Sequence, residues 1–301
     1  MDYPCDFEEL VEKESLQQAE RLAFIDFKIN YLGEVSRSDI IDEFKVGQAT
    51  ASNDLKIYRE YRPLNSYRDN ATKKTILLMD SYTPLVKFDV HIALNFILHG
   101  FCRNELMFKT PSIPAESINL LMVKDLISEQ DVAAVTRAIH TKTALSCYYM
   151  SSSSDNHDER LLFPTALFVD RQYWYFRAYD RNSQADKAGF KNFKMSRIRS
   201  AKNLPEIKPA QDEELAKDIG WHTLIPMQIA VHSTCKNGAS LEREFGLTDG
   251  KKTIVCKAAF AYYVRQNWRI DVGNGKQSYF NFILENGESL RQIDCAQGLF
   301  K

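Results

Sequence analysis

The chain has 301 residues, 44% of them hydrophobic and 26% charged, with 12 glycines and 9 prolines. These values exclude a long disordered region, and the length is sufficient for two or three domains that each bury a core. The formal net charge of −1 hides an uneven distribution, since residues 1–55 are acidic whereas residues 56–74 carry six basic side chains against two acidic ones. For phosphate binding, such a local excess matters more than the net charge.

Three helices are predicted at the start of the chain. Apolar residues at roughly helical spacing indicate a long helix over residues 16–32, which ends at Gly33. Ser36 or Ser38 can cap a short second helix, and a tight turn at 46–48 leads into a third. The buried face of the third helix would contain Ala51, Leu55 and Tyr58.

A β-hairpin with an Asp-Asn turn is predicted next, over residues 65–78. Three helices followed by a hairpin make a winged helix-turn-helix, which we assign to residues 1–84. Residues 46–55 resemble the turn and recognition helix of DeoR-like winged regulators. Amide and amino groups on the outer face of that helix suit base edges, and cations in the wing suit backbone phosphates. The predicted DNA-binding residues are Gln48, Thr50, Ser52, Asn53, Lys56, Arg68, Lys73 and Lys74. The alternative is a packing module that binds no DNA.

Residues 85–129 are predicted to connect this domain to the next one. They contain a helix over 89–99, a proline-marked loop at 110–114 and a possible strand at 119–123. A further helix is predicted over 130–140, where apolar residues recur at helical spacing.

Five short strands are predicted after that helix. They cover residues 143–151, 160–169, 173–179, 190–195 and 198–204. A helix followed by five short strands is typical of a small Sm-like or SH3-like β-barrel, which we assign to residues 130–205.

The third of these strands has two different faces. Because side chains alternate along a strand, Trp174 and Phe176 point one way, and Arg177 points the other way between two tyrosines. Arg197, at the start of the last strand, can add a second cation. Guanidinium groups beside aromatic rings suit a phosphate together with a stacked base. The alternative is that the arginines pair with Asp170, Asp180 or Glu159 and only stabilise the barrel.

Residues 130–204 resemble a WYL domain. The signature stands here as Trp174-Tyr175-Phe176, with Phe in place of the usual Leu, and Thr165 stands where the family often has a histidine. Further marks are Tyr149-Met-Ser151, Arg160 with Pro164, Arg177-Ala178-Tyr179 and Phe193-Lys-Met-Ser-Arg197-Ile198. Together with the strand pattern, the resemblance implies that the ligand-binding residues are Tyr149, Ser151, Arg160, Trp174, Arg177, Phe193 and Arg197.

The last part of the chain is predicted to form a small α+β domain. After a linker at 205–213, the pattern reads strand, helix, strand, helix, strand. We assign residues 206–301 to this domain, which is WCX-like in its place along the chain. The whole protein is therefore expected to be a multidomain α+β protein.

The order of winged helix, WYL domain and C-terminal domain resembles the WYL-domain transcriptional regulators of bacterial phage-defence loci, BrxR-like and CapW-like. The resemblance implies a homodimeric repressor that binds an inverted-repeat operator of double-stranded DNA upstream of a defence operon. It further implies release by a nucleotide or nucleic-acid effector bound in the WYL domain, with the C-terminal domain supplying much of the dimer contact.

The main alternative is an RNA-binding or nucleic-acid-processing accessory protein that uses the barrel directly. An enzyme is not expected, because the sequence carries no GxxxxGK[ST], GxGxxG, HExxH or GxSxG pattern, and no cofactor is implied. Six single cysteines without metal-ligand spacing indicate reduced thiols, and no apolar stretch is long enough for a membrane span. We therefore expect a cytoplasmic protein with no membrane partner.

Overall fold

Four helices open the chain in the computed structural model, which describes residues 6–107, 126–151, 159–171, 173–181, 188–273 and 279–300. They are α1 (Phe7–Lys13), α2 (Leu16–Leu32), α3 (Arg37–Phe44) and α4 (Gln48–Tyr61). The last three confirm the prediction, and α1 was not predicted. Gly33 ends α2 with a φ of 82°, a conformation that glycine adopts without strain. Ser36 begins α3 through a capping box with Asp39.

The wing is a three-stranded antiparallel sheet. It consists of β1 (Glu34–Val35), β2 (Ser66–Arg68) and β3 (Thr75–Leu77), in the order β1-β3-β2. The predicted hairpin is confirmed, and its turn is held by the Asp69 carboxylate, which accepts hydrogen bonds from the backbone N–H groups of Ala71 and Thr72. The two-residue strand β1 was not predicted, because it is too short to show an alternating pattern.

Two further helices follow the wing. The helix α5 (Val90–His99) is capped by Asp89, and α6 (Glu129–Thr141) is capped by Ser128. Both confirm predicted helices. The predicted loop at 110–114 and the strand at 119–123 lie outside the described residues.

The five predicted strands after α6 are confirmed, but they do not close into a barrel. They are β4 (Ala144–Tyr149), β5 (Glu159–Asp170), β6 (Tyr173–Asp180), β7 (Gly189–Lys194) and β8 (Ile198–Leu204). The sheet order is β7-β6-β5-β4-β8, so β7 and β8 are its two edges and do not pair with each other. A short 3-10 turn joins them, and the gap is bridged by single bonds: the Lys194 N–H donates to the Tyr149 hydroxyl, and the Met150 N–H donates to the Arg197 carbonyl. The predicted closed barrel is therefore corrected to an open, curled sheet.

A single hydrophobic core joins the winged helix to this sheet. Its buried side chains run from α1 and α2 through α4, α5 and α6 to β8. The helix α6 also makes polar contacts in both directions. The Thr136 hydroxyl donates to the Tyr31 carbonyl at 2.6 Å, and Arg137 donates to the Asn30 carbonyl at 2.6 Å and to the Asn203 side chain at 3.1 Å.

The chain divides into two compact units, Met1–Pro209 and Ala210–Lys301. The boundaries predicted at residues 84, 129 and 205 all fall inside the first unit and stay predictions.

The second unit is an α+β fold, as predicted. Its elements are α7 (Ile219–His222), β9 (Leu224–Val231), α8 (Gly238–Phe245), β10 (Lys251–Lys257), α9 (Ala261–Trp268), β11 (Ile270–Asp271), β12 (Phe282–Leu284) and α10 (Gly287–Arg291). The sheet order is β10-β9-β12-β11, and the short strand β11, which was not predicted, runs parallel to β12. One face of this sheet carries the core of the unit, including Ile225, Met227 and Phe282.

Candidate nucleic-acid interface and sensor sheet

The helix α4 presents one face to the core and the opposite face to solvent. Ala51, Leu55 and Tyr58 are buried, as predicted. The predicted groove-facing side chains of Gln48, Asn53 and Lys56 are exposed, and Ser52 is half-buried. Thr50, predicted as a phosphate contact, is also exposed. Lys56 also forms an exposed ion pair with Glu60 at 3.6 Å, a contact too weak to hold it away from a ligand.

A buried ion pair fixes α4 against α2. The Asp54 side chain is only 1% exposed, and its carboxylate receives Arg21 Nε at 2.6 Å and Arg21 Nη2 at 3.3 Å. Gln18 adds a weaker hydrogen bond at 3.4 Å. Two parallel hydrogen bonds from one guanidinium fix the rotation of α4 about its own axis and its position along α2. The sequence does not single out this pair, because two charges 33 residues apart give no local pattern.

A second buried carboxylate fixes the segment that follows the wing. Asp26 accepts hydrogen bonds from the hydroxyls of Tyr58 and Tyr82 and from the N–H groups of Leu85 and Val86, at 2.7 to 3.1 Å. Burial raises the pKa of Asp26 to about 6, although all four hydrogen bonds lower it. This carboxylate was also missed, since a lone Asp within a helix carries no sequence signal.

The three predicted wing cations differ in their surroundings. Lys73 is exposed and Arg68 is half-buried. Lys74 Nζ lies 2.5 Å from Glu34 Oε1, and the same oxygen lies 3.1 Å from Nε2 of His140 at the end of α6. Burial acts to raise the pKa of Glu34, but hydrogen bonds to Lys74 and His140 hold it below its usual range. The wing is thus tied to α6 through one carboxylate.

The two faces of β6 are those that the alternation predicts. Across β6 and β7, Phe176 pairs with Phe193 and Arg177 pairs with Asn192, so these two pairs lie on opposite faces of the sheet. Trp174, Phe176 and Phe193 are buried in the core, and Phe193 packs edge-on against Tyr149 with ring centroids 5.0 Å apart. Three predicted ligand contacts, Tyr149, Trp174 and Phe193, are therefore core residues on the face opposite to Arg177.

Arg177 lies among polar and aromatic groups on the other face. It is 8% exposed, donates to the Asn192 side chain at 3.0 Å and lies 5.8 Å from the centre of the Phe190 ring. On the same face, Tyr175 stacks on Phe168 with centroids 5.1 Å apart. The predicted combination of a guanidinium with aromatic rings is therefore present.

Arg160, another predicted ligand contact, forms a charged cluster with Asp180 and Lys191. The fully buried Asp180 accepts from Arg160 Nη1 and Lys191 Nζ, each at 2.8 Å from Oδ2. Among the residues that the structure describes, Asp180 Oδ1 and Arg160 Nε are buried without a hydrogen-bond partner. Asp180, which the alternative pairs with Arg177 or Arg197, thus binds Arg160 and Lys191.

Ser151 and Arg197 lie at one end of the sheet. Both are half-buried, and the Arg197 carbonyl bonded by Met150 brings the turn after β7 close to the end of β4. Tyr149 pairs with Ile198 in the adjoining ladder. The structure thus brings Tyr149, Ser151 and Arg197 into one neighbourhood.

The described residues hold neither a cluster of metal ligands nor a membrane-spanning helix. They contain no group of three or more His, Cys, Asp or Glu side chains that could hold a metal ion. No helix within the same residues is long and apolar enough to cross a bilayer.

Three family models match the chain, in the order of the architecture described above. Residues 17–93 match the BrxR transcriptional regulator winged helix-turn-helix domain, residues 130–203 match the WYL domain, and residues 224–290 match the BrxR transcriptional regulator C-terminal dimerization domain. The chain therefore carries the domains of WYL-domain transcriptional regulators. The two outer domains match BrxR models, and the curated relatives that match the chain are CapW proteins.

These relatives are each named DNA-binding transcriptional repressor CapW. The protein from Escherichia coli strain KTE188 is 27% identical over 259 residues, covering 82% of this chain and 81% of the relative. The Stenotrophomonas maltophilia protein is 24% identical and covers 91% of both chains. The Pseudomonas aeruginosa protein is 22% identical and covers 92% of this chain and 91% of the relative.

Two solved structures align with 94% of this chain at low TM-scores. The proteasome accessory factor B/C of Arthrobacter aurescens gives 0.25 at 18% identity over 48% of its length, and a CRISPR Cas-related protein gives 0.33 at 11% identity over 80% of its length. Neither likeness is strong enough to carry an argument.

Proposed function

We propose that the protein is a homodimeric repressor of a phage-defence operon that binds an inverted-repeat operator of double-stranded DNA. The observation that carries the proposal is the exposed outer face of α4, with Gln48, Asn53 and Lys56, on a helix fixed to α2 by the buried Arg21–Asp54 pair. A helix that reads base edges must be rigid, because hydrogen-bond readout depends on a fixed register. The CapW relatives, named as DNA-binding transcriptional repressors, support this assignment.

Operator binding can be tested with duplex DNA from the region upstream of the gene, a scrambled duplex and single-stranded RNA of the same length. We expect Gln48→Ala and Asn53→Ala each to weaken specific binding about 5- to 100-fold, the value of one bidentate base contact, with little effect on the scrambled duplex. Gln211→Ala, which removes an exposed amide from the second unit, should bind like the wild type. Preference for RNA would contradict the proposal and favour an RNA-binding protein.

The open face of the second unit's sheet is the surface we assign to the dimer. Leu224 is 61% exposed, Val255 is 60% exposed, and Pro226 lies directly opposite Val255 in the ladder. Ile283 and Ala230 extend the apolar area on the same face. These residues fall within residues 224–290, which match a dimerization domain. An apolar sheet face of this kind suits a second copy of the chain.

We assign effector binding to the five-stranded sheet β4–β8, here called the sensor sheet, with a nucleotide or nucleic-acid fragment as the ligand class. The phosphate would meet Arg177 or Arg197, and the rings around Arg177 would stack on a base. The ligand would act on the winged helix through α6, which shares the core with α2 and contacts Glu34 of the wing. A ligand shifts such an equilibrium only if its affinity differs between the two states.

Effector binding can be tested with AMP and a mixed-sequence single-stranded DNA decamer as probes. In Arg177→Ala and Arg197→Ala, operator binding without a probe should be retained and the response to the probe should be lost. Arg177→Gln serves as a second variant, because Arg177 is nearly buried and truncation to Ala leaves a void. A folded variant with a normal response would show that the site is elsewhere.

A further inference from the structure

A small cavity in the winged helix is lined by three arginines from three different elements. It has a volume of about 240 Å³, and its lining consists of Arg37, Ser52, Leu55, Arg59 and Arg68. Arg37 is the first residue of α3, Ser52, Leu55 and Arg59 belong to α4, and Arg68 ends β2. The cavity therefore lies where the helix-turn-helix and the wing meet.

These three arginines carry no counter-charge within the described part of the chain. None of the ion pairs there includes Arg37, Arg59 or Arg68. The hydrogen bond that links two lining residues is a long one, from Arg37 Nη1 to Ser52 Oγ at 3.4 Å. By contrast, Arg21 and Arg160, whose side chains are 12% and 15% exposed, each bind a carboxylate.

Three like charges around one small cavity repel one another, and an anion between them removes that repulsion. Guanidinium forks match phosphate oxygens with two parallel hydrogen bonds, and a serine hydroxyl adds a further donor. Leu55 is buried and gives the lining an apolar part, and the exposed Asn53 and Lys56 each directly follow a lining residue along α4.

We infer that this cavity binds one phosphate group of the DNA backbone beside the groove that α4 enters. The inference rests on the proposed DNA binding and deepens it. Arg37 and Arg59 join the interface as new members, and Ser52, predicted from the sequence to face a base, contacts phosphate instead. Because α3, α4 and the wing contact the same phosphate, the site fixes the register of α4 along the duplex.

The test compares two triple variants with the same net charge. One is Arg37→Gln/Arg59→Gln/Arg68→Gln, and the control is Lys202→Gln/Lys217→Gln/Lys236→Gln, which removes three exposed cations outside the winged helix. Affinity for a mixed-sequence 30-base-pair duplex is measured between 50 and 300 mM KCl. Each phosphate contact contributes about 0.9 to the slope of log affinity against log salt.

We expect the arginine variant to lose about 0.9 of that slope and about tenfold or more in affinity, as for one charge-assisted phosphate site. Its melting temperature without DNA should equal or exceed that of the wild type, because the repulsion is gone. A loss of slope near 2.7 would mean three separate phosphates and would overturn the shared site. Affinity and slope equal to those of the control would overturn the cavity assignment altogether.

The source of the phosphate is separated by a second measurement. The melting temperatures of the wild type and the arginine variant are measured with inorganic phosphate at constant ionic strength. If phosphate raises only that of the wild type, and both proteins bind the duplex equally, the cavity binds a free anion. That result would refute the assignment of the cavity to a DNA phosphate. Wild-type binding to the duplex tests the proposed function by itself. A wild type that binds, with an arginine variant that behaves like the control, refutes the cavity and leaves DNA binding in place.

Discussion

Replacing Arg21 by Met should strongly destabilise the first unit. Within the described residues, the change leaves the carboxylate of Asp54, 1% exposed, with only the 3.4 Å hydrogen bond from Gln18. Removing one partner of a buried ion pair costs about 3 to 5 kcal/mol, because the remaining charge stays desolvated. Domains are stable by only about 5 to 15 kcal/mol, so the loss is about a fifth or more of that stability. Arg21→Met/Asp54→Leu should recover most of the loss, since apolar side chains of similar volume can replace a buried pair.

Urea unfolding followed by tryptophan fluorescence measures this cost. The background Trp221→Phe/Trp268→Phe leaves Trp174 as the one tryptophan of the chain, and Trp174 lies in the first unit. Lys56→Met, which breaks an exposed ion pair on the same helix, is the control and should change little. A cost for Arg21→Met as small as that of the control, or a double variant no more stable than the single one, would refute the reasoning.

Three further predictions follow from the same structure. Glu34→Gln should release Lys74 to contact the DNA backbone. Affinity for a mixed-sequence duplex, measured by fluorescence anisotropy, should then rise several-fold and depend more steeply on salt. Unchanged binding would mean that Lys74 does not reach DNA. The raised pKa of Asp26 means that the folded protein holds this proton more tightly than the unfolded chain does, so the stability it contributes is fully present below pH 4 and is lost as pH rises through about 6. Relative to Asp26→Asn, the wild type should therefore gain about 2 kcal/mol between pH 7 and pH 4 in urea unfolding, and a difference independent of pH would contradict the burial argument. Val255→Asp should shift the protein toward a monomer in sedimentation and weaken operator binding, whereas the neighbouring Thr253→Asp, also on the open face but outside its apolar part, should have a smaller effect.

The helices and strands could be predicted because each carries a local pattern. Helical spacing and the stop at Gly33 define α2, and the Asp-Asn turn defines the wing hairpin. Alternation along β6 likewise predicts that Phe176 and Arg177 lie on opposite faces, which the pairing with β7 confirms. What the patterns report is the direction of each side chain relative to its own element.

The relations between distant elements could not be predicted in the same way. The pairing of Arg21 with Asp54 and the four donors around Asp26 depend on tertiary placement, which a single sequence does not encode locally. The open edge of the sensor sheet has the same origin, since the five strands would read identically in a closed barrel. The grouping of Arg37, Arg59 and Arg68 around one cavity also appears only when three elements are placed together.

The shared core of the first unit has a consequence for modularity. Sequence comparison draws a border between the winged helix and the WYL domain, yet α6 buries one side against α2 and the other against the sensor sheet. A chimera that joins this winged helix to a foreign sensor would expose apolar surface on α2 unless α6 were transplanted with it. By the same reasoning, amide hydrogen exchange should protect α2 and α6 to the same extent, as parts of one cooperative unit. The two domains are separable as genetic segments but not as folding units.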